Sequence, residues 1–143
     1  MTVSSPELEA AAAAFKKHDY AGAVAQLRIL SEQGDPKAQL MLAEMYFDGL
    51  GIPQDYQEAV KWTRRAAEQG FDSAQHYLGR MYSEGSALPR DSIQSYAWFS
   101  IAAHNGNATA KKDCDELAKK MTAAEITAAD KLAGELIQRF GRR

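Results

Sequence analysis

Apolar side chains recur along this chain at the three- and four-residue spacing of a helix face, and glycine or proline interrupts the runs at regular intervals. Leu42, Met45 and Tyr46 form one such stripe and Leu78, Met81 and Tyr82 another, spacing that predicts helices with one buried face. Asp35-Pro36 and Asp72 precede the stripes as expected helix starts, where a short oxygen-bearing side chain caps free N–H groups and proline fits the first turn. Gly49 and Gly85 follow the last apolar residue, where the backbone turns left-handed to end a helix. A short loop, "GIPQ" or "ALPR", then leads to Asp55 or Asp91, each the expected cap of a second helix. Glu58, three residues after Asp55, completes the pattern of a capping box. The second helices carry Trp62 with Ala66-Ala67, or Trp98 with Ala102-Ala103, and stop at Gly70 and Gly106.

The two stretches are copies. Residues 38–51 read "AQLMLAEMYFDGLG", and 36 residues later residues 74–87 read "AQHYLGRMYSEGSA". The same step relates Pro53 to Pro89, Trp62 to Trp98 and Gly70 to Gly106, and backwards it takes Tyr56 to Tyr20 and Ala59 to Ala23. A fixed period of this length is the signature of stacked repeats, whose helical pairs hide their apolar faces only against neighbours. Alanine and glycine at the shared positions let helix axes approach, and Leu, Tyr and Trp fill the space between. One repeat domain over 1–143 is expected, divided at 1–37, 38–73, 74–109 and 110–143. The ends depart from the pattern. An Ala-rich helix near 6–17, opened by Ser5-Pro6, pairs with a helix in "DYAGAVAQLRILSEQG". At the other end a helix over 108–120 loses the Tyr and Gly positions. Thr122 and Glu125 then cap a final helix near 123–140, whose stripe Ile126, Ala129, Leu132, Ala133, Leu136, Ile137 and Phe140 closes the stack. The total is about eight helices with no strand signal, an all-α fold.

Composition narrows the function. The 45% hydrophobic and 25% charged shares are those of a globular protein. The net charge of −2 runs from −5 over residues 1–60 to +2 over 111–143, a gradient with no basic stripe for nucleic acid. No apolar run approaches the ~20 residues of a membrane-spanning helix. The opening "MTVSSPELEAAAAAFKKHD" lacks a basic n-region and a leucine-rich core. The chain as it stands is therefore expected in the cytoplasm, or in the periplasm if a signal peptide has been trimmed. The single Cys114 excludes an internal disulfide and a cysteine-based zinc cage.

The residues 38–70 resemble the Sel-one-like repeat, a relative of the tetratricopeptide repeat, through the pattern A-x-x-x-L-[AG]-x-x-Y-x-x-G-x-G-x-x-x-D-x-x-x-A-x-x-W-x-x-x-A-A-x-x-G. Residues 74–106 carry it with Ala87 in place of the loop's second glycine and Ser95 in place of Ala59, and residues 19–37 match its second half. The tail "YAWFSIAAHNGNATAKKDCDELAKKMTAAEITAADKLA" resembles the closing unit of bacterial members. The resemblance implies a right-handed α-solenoid of stacked antiparallel helix pairs whose first helices line a concave face. It also implies roles as adaptors and scaffolds, or as immunity proteins that neutralise secreted bacterial toxins.

Catalytic chemistry has few candidates. His18, His76 and His104 fall in a loop, on a first helix and at the end of a second helix, with no i, i+4 pair for a metal. Cys114 takes the inward position of Leu42 and Leu78, so structural burial is expected of it. No glycine-rich phosphate loop or nucleophile motif is visible, and neither a cofactor nor a metal is expected. Trp62, Trp98, Tyr46 and Tyr82 occupy equal places in both copies, which indicates packing. Phe47, Tyr77 and Phe99 have no aromatic counterpart and are better functional candidates. By analogy with the tetratricopeptide groove, three inward rows are expected: Leu40, His76 and Lys112; Glu44, Arg80 and Glu116; and Phe47 and Ser83. Apolar anchors among alternating charges suit a peptide or a helix of a partner protein, while Glu44, Arg80 and Glu116 could equally pair with one another. The leading expectation is a monomeric, non-enzymatic protein-binding scaffold. A toxin-neutralising immunity protein is the alternative, and an enzyme using His76 or Cys114 is the remote one.

Overall fold

The structure, a computed structural model, describes residues 5–142. Among them are eight α-helices and no strand: α1 (Pro6–Lys16), α2 (Tyr20–Glu32), α3 (Pro36–Asp48), α4 (Tyr56–Glu68), α5 (Asp72–Glu84), α6 (Ser92–His104), α7 (Ala108–Ala118) and α8 (Ala123–Phe140). None of these helices is long and apolar enough to cross a membrane.

Side-chain caps open most of them. Ser5 accepts from the Leu8 amide at 3.1 Å, Asp35 from Ala38 at 3.1 Å, Asp91 from Gln94 at 3.0 Å and Asn107 from Ala110 at 2.8 Å. Thr122 and Glu125 form both halves of a capping box. The expected Asp55 cap forms, but the Glu58 half of its capping box and the expected Asp72 cap do not. Asp55 does accept from the Glu58 amide, but its own N–H donates to the Tyr46 carbonyl, and the Glu58 carboxylate takes Trp62 Nε1 and Lys61 Nζ. A buried indole N–H needs an acceptor more than an exposed helix end does. At α5 the cap position is Phe71, with no side-chain bond, and Asp72 is the first helical residue.

The chain divides into two compact units, Met1–Arg65 and Ala66–Arg143. In the first, α2 packs against both α1 and α3, burying Leu27, Leu30, Leu42, Ala43 and Met45. Gln39, itself buried, donates to the Ser31 carbonyl at 3.0 Å, and Arg28 donates to Tyr46 Oη at 3.2 Å. Gly51 is left-handed (φ 71°), and a Cβ there would lie 2.5 Å from the Tyr20 backbone, so both its conformation and its space demand glycine.

In the second unit α6 is central, with α5, α7 and α8 all packed on it. Its composition follows from that position. Where α4 carries Lys61, Arg64, Arg65 and Glu68, the equivalent places of α6 hold Ala97, Ser100, Ile101 and His104. Ala97, Trp98, Phe99, Ile101 and Ala102 are all buried, because a helix covered on three sides has no face left for charge. Trp98 stacks on Phe140 of α8, with ring centroids 6.3 Å apart. Within the α8 stripe, Ala129, Ala133 and Leu136 are buried while Ile126, Leu132, Ile137 and Phe140 are half-buried.

The copies match at the backbone. The amide of Asp55 donates to Tyr46 O at 2.9 Å, and that of Asp91 to Tyr82 O at 3.0 Å. Gln54 Nε2 reaches Phe47 O at 2.8 Å, and Arg90 Nε reaches Ser83 O at 3.0 Å. Gly49 and Gly85 both end their helices left-handed, at φ 70° and 71°. Tyr46 is buried and Tyr82 half-buried. Ala87 does not follow Gly51 into the left-handed region: His18 is the one non-glycine residue with positive φ among the described residues. The second loop therefore closes without that turn.

Candidate partner-binding surfaces

The second unit has an open groove of 280 Å³ between α5 and α7. Arg80, Ser83 and Glu84 line it from α5, Asp113 and Glu116 from α7, and the apolar floor is Phe99 with Leu117. Phe99 reaches this position because α5 has glycine at 79, where the first copy has Ala43. A Cβ on Gly79 would sit 2.6 Å from Phe99 Cδ1, so the ring lies directly on the α5 backbone. Ser95, which replaces Ala59, donates to the Gly79 carbonyl at 2.7 Å and fixes α6 against the same turn. The divergent residues Gly79, Ser95 and Phe99 thus form one repacked contact. Phe99 is a core residue, 3% exposed, that contributes a ring surface to the groove floor.

At one end of this surface His76 Nε2 lies 2.7 Å from Asp113 Oδ2, and the His76 ring is 5.5 Å from that of Phe99. Of the expected rows, Arg80, Ser83 and Glu116 come to the one groove. Lys112 is exposed, and its neighbour Asp113 is the α7 residue that meets His76. Arg80 pairs with Glu84 at 3.2 Å within α5, and Glu116 with Lys119, the residue that caps α7, at 3.1 Å, with about half or more of each side chain in solvent. Such pairs contribute about 0–1 kcal/mol, so a partner's charges could displace them cheaply.

The first unit has its own smaller notch of 130 Å³, lined by Phe15, Met41, Glu44, Met45, Asp48 and Leu50. Glu44 is exposed there. Leu40 is 9% exposed and belongs to the core, leaving little of its side chain for a ligand. Phe47 is half-buried and its ring lies 5.0 Å from that of Tyr56, which is 38% exposed.

Residues with chemical potential are occupied structurally. Cys114 is buried beside Phe99, Ala102 and Ala110, with Ser100 Oγ at 3.5 Å. Burial pushes its thiol pKa up, which suppresses the reactive thiolate. Tyr96 is raised to about 12, first by burial and then by its hydrogen bond to Asp130. Among the described residues no three His, Cys, Asp or Glu side chains converge as a metal site would require. Trp62 and Trp98 are 5% and 3% exposed, and Trp62 is flanked by Lys61 Nζ and Arg65 Cζ at 5.0 and 4.8 Å from its ring.

One polar contact escaped the sequence reading. Gln75 is fully buried; it donates to Ala67 O at 3.0 Å and accepts from Asn105 Nδ2 at 2.9 Å. Gln39 makes the corresponding bond in the first unit. The signal was a glutamine repeated at the same place in both copies, on the buried face of a helix.

Eight helices among the described residues, four of them in two matching pairs, define an α-helical repeat protein. The Sel1 repeat family model matches residues 36–71 and 72–107, and the chain belongs to that family. Among solved structures, it is similar to a protective antigen of uropathogenic Escherichia coli displaying an SLR fold, with 31% identity and a TM-score of 0.90 over 94% of this chain. The chain spans 30% of that protein's length. It is also similar to a Sel1 repeat protein from Oxalobacter formigenes, with 38% identity and a TM-score of 0.63, covering 66% of this chain and 71% of that one. No curated protein sequence matches significantly. The fold class is the α-solenoid expected from the repeat.

Proposed function

We propose that this chain is a non-catalytic binding module that holds a segment of another protein in the groove between α5 and α7. The observation that carries the reading is the groove itself: an apolar floor of half-buried Leu117 beside the edge of the largely covered Phe99 ring, with Arg80, Asp113 and Glu116 around it. An apolar anchor of the partner would fill the floor, and its polar neighbours would exchange with the weak local pairs of Arg80 and Glu116. Ser83 lines this groove and His76 flanks it through Asp113, whereas Leu40, Glu44 and Phe47 belong to the first unit and Lys112 does not line the groove. The raised thiol pKa of Cys114 supports a structural rather than a nucleophilic role.

A photo-crosslinking residue at position 83, compared with one at the exposed position 138, tests the surface in native lysate. The expected result is a discrete partner captured only from position 83, with recovery reduced by the surface variant Arg80→Glu/Glu116→Arg. Equal capture from both positions, or equal recovery by the double variant, removes the groove from the account.

A further inference from the structure

The segment after α8 does not leave the molecule freely. Arg142 donates its backbone amide to Asn105 Oδ1 at 2.8 Å and spreads its guanidinium over three more acceptors. Nε reaches the Gly70 carbonyl at 3.1 Å, Nη1 the Asn105 carbonyl at 3.3 Å and Nη2 the Asp72 carboxylate at 3.0 Å. Two of these acceptors are backbone carbonyls just past the C-terminal ends of α4 and α6, where orphan carbonyls and the negative end of the helix dipole favour a cation. Asp72 adds a full negative charge and is itself held by Asn107 Nδ2 at 3.2 Å.

Asn105 is 7% exposed and is fixed from the other side by Gln75. The receptor is therefore anchored to the fully buried Gln75. Gly70 completes it: this residue is left-handed (φ 88°), and a Cβ would lie 3.4 Å from Phe140 O and 3.9 Å from Arg142 Cγ.

We infer that Arg142 is a latch: its guanidinium fills a receptor made by Gly70, Asp72 and Asn105, and so holds the end of α8 closed over α6. The surface that the latch keeps covered is apolar, since Trp98 stacks on Phe140 two residues before Arg142. A planar fork with three donor directions suits three divergent acceptors, whereas an ammonium is a compact point charge that cannot span them. Opening the latch releases the last turns of α8 without unfolding the α5–α6 contact, which gives this unit a local, independently adjustable closure.

Hydrogen exchange followed by mass spectrometry on the full chain tests this with Arg142→Ala and Arg142→Lys. In Arg142→Ala the amides of residues 134–140 are expected to exchange about fivefold to tenfold faster, with α5 and α6 amides unchanged. In Arg142→Lys less than half of the lost protection is expected to return. Wild-type exchange in the alanine variant overturns the latch. Full protection in the lysine variant overturns the guanidinium receptor, and equal acceleration across the whole unit overturns the claim that the closure is local.

Discussion

Replacing Gly79 by alanine sets two effects of known size against each other. In an exposed helix the change stabilises by about 1 kcal/mol, because glycine has the poorer helix propensity. Here the new methyl would lie 2.6, 2.7 and 3.2 Å from Phe99 Cδ1, Cε1 and Cγ, inside the 3.5–4.0 Å of good carbon contact. The ring has little room to retreat, being packed with Ala102, Ala110 and Cys114. Overpacking of this kind costs about 1–3 kcal/mol, so the net expectation for Gly79→Ala is a loss of about 1 kcal/mol. The first copy already contains the compensated pair, Ala43 with Thr63. In a Phe99→Thr background, itself destabilised by about 3 kcal/mol through loss of the ring, the clash is gone and only the propensity gain remains. Gly79→Ala should then stabilise by about 1 kcal/mol, a sign reversal with a coupling of about 2 kcal/mol. Urea unfolding of the four proteins, read by circular dichroism and by tryptophan fluorescence to check that the transitions coincide, measures it. A Gly79→Ala effect of the same sign in both backgrounds would refute the reasoning.

Three further outcomes follow from the same packing. Gln75→Leu strands the Ala67 carbonyl and Asn105 Nδ2, and thermal unfolding should show a loss of about 2–3 kcal/mol. Ala67→Leu puts three extra carbons at a fully buried position and should cost about 1–3 kcal/mol in urea. Tyr96 is an acid whose folded pKa lies near 12 against 10.0 unperturbed, so between those values the unfolded chain releases a proton that the native one keeps. Stability from this group is complete below pH 10 and is lost as pH rises towards 12. Tyr96→Phe should lack that part of the alkaline decline, and parallel pH profiles for the two proteins would contradict the assignment.

The sequence made the helices legible because period and caps agreed: Ser5, Asp35, Asp91 and Thr122 all accept the bonds expected of them. Asp72 and Glu58 were misjudged for one shared reason. Each had a more demanding distant or buried partner, Arg142 or Trp62 Nε1, and such partners are invisible to local patterns. The groove rows were legible only along one helix at a time. Arg80 and Ser83 follow from α5 alone, but whether Lys112 or Asp113 meets His76 depends on the rotation of α7, which a fixed period of 36 does not specify. The role of Phe99 needed Gly79 and Ser95 to be considered with it. Each is an isolated departure in the sequence, and only their contact shows that they are one change.

The three-sided burial of α6 has a consequence for rearranging the molecule. A helix whose flanks have lost lysine and arginine in favour of Ala97 and Ile101 cannot be traded for α4, whose cations would be pressed into an oily seam. Extra copies of the repeat should therefore be tolerated upstream of α6 and rejected between α6 and α8. The order of the modules is written in how little charge each one can tolerate.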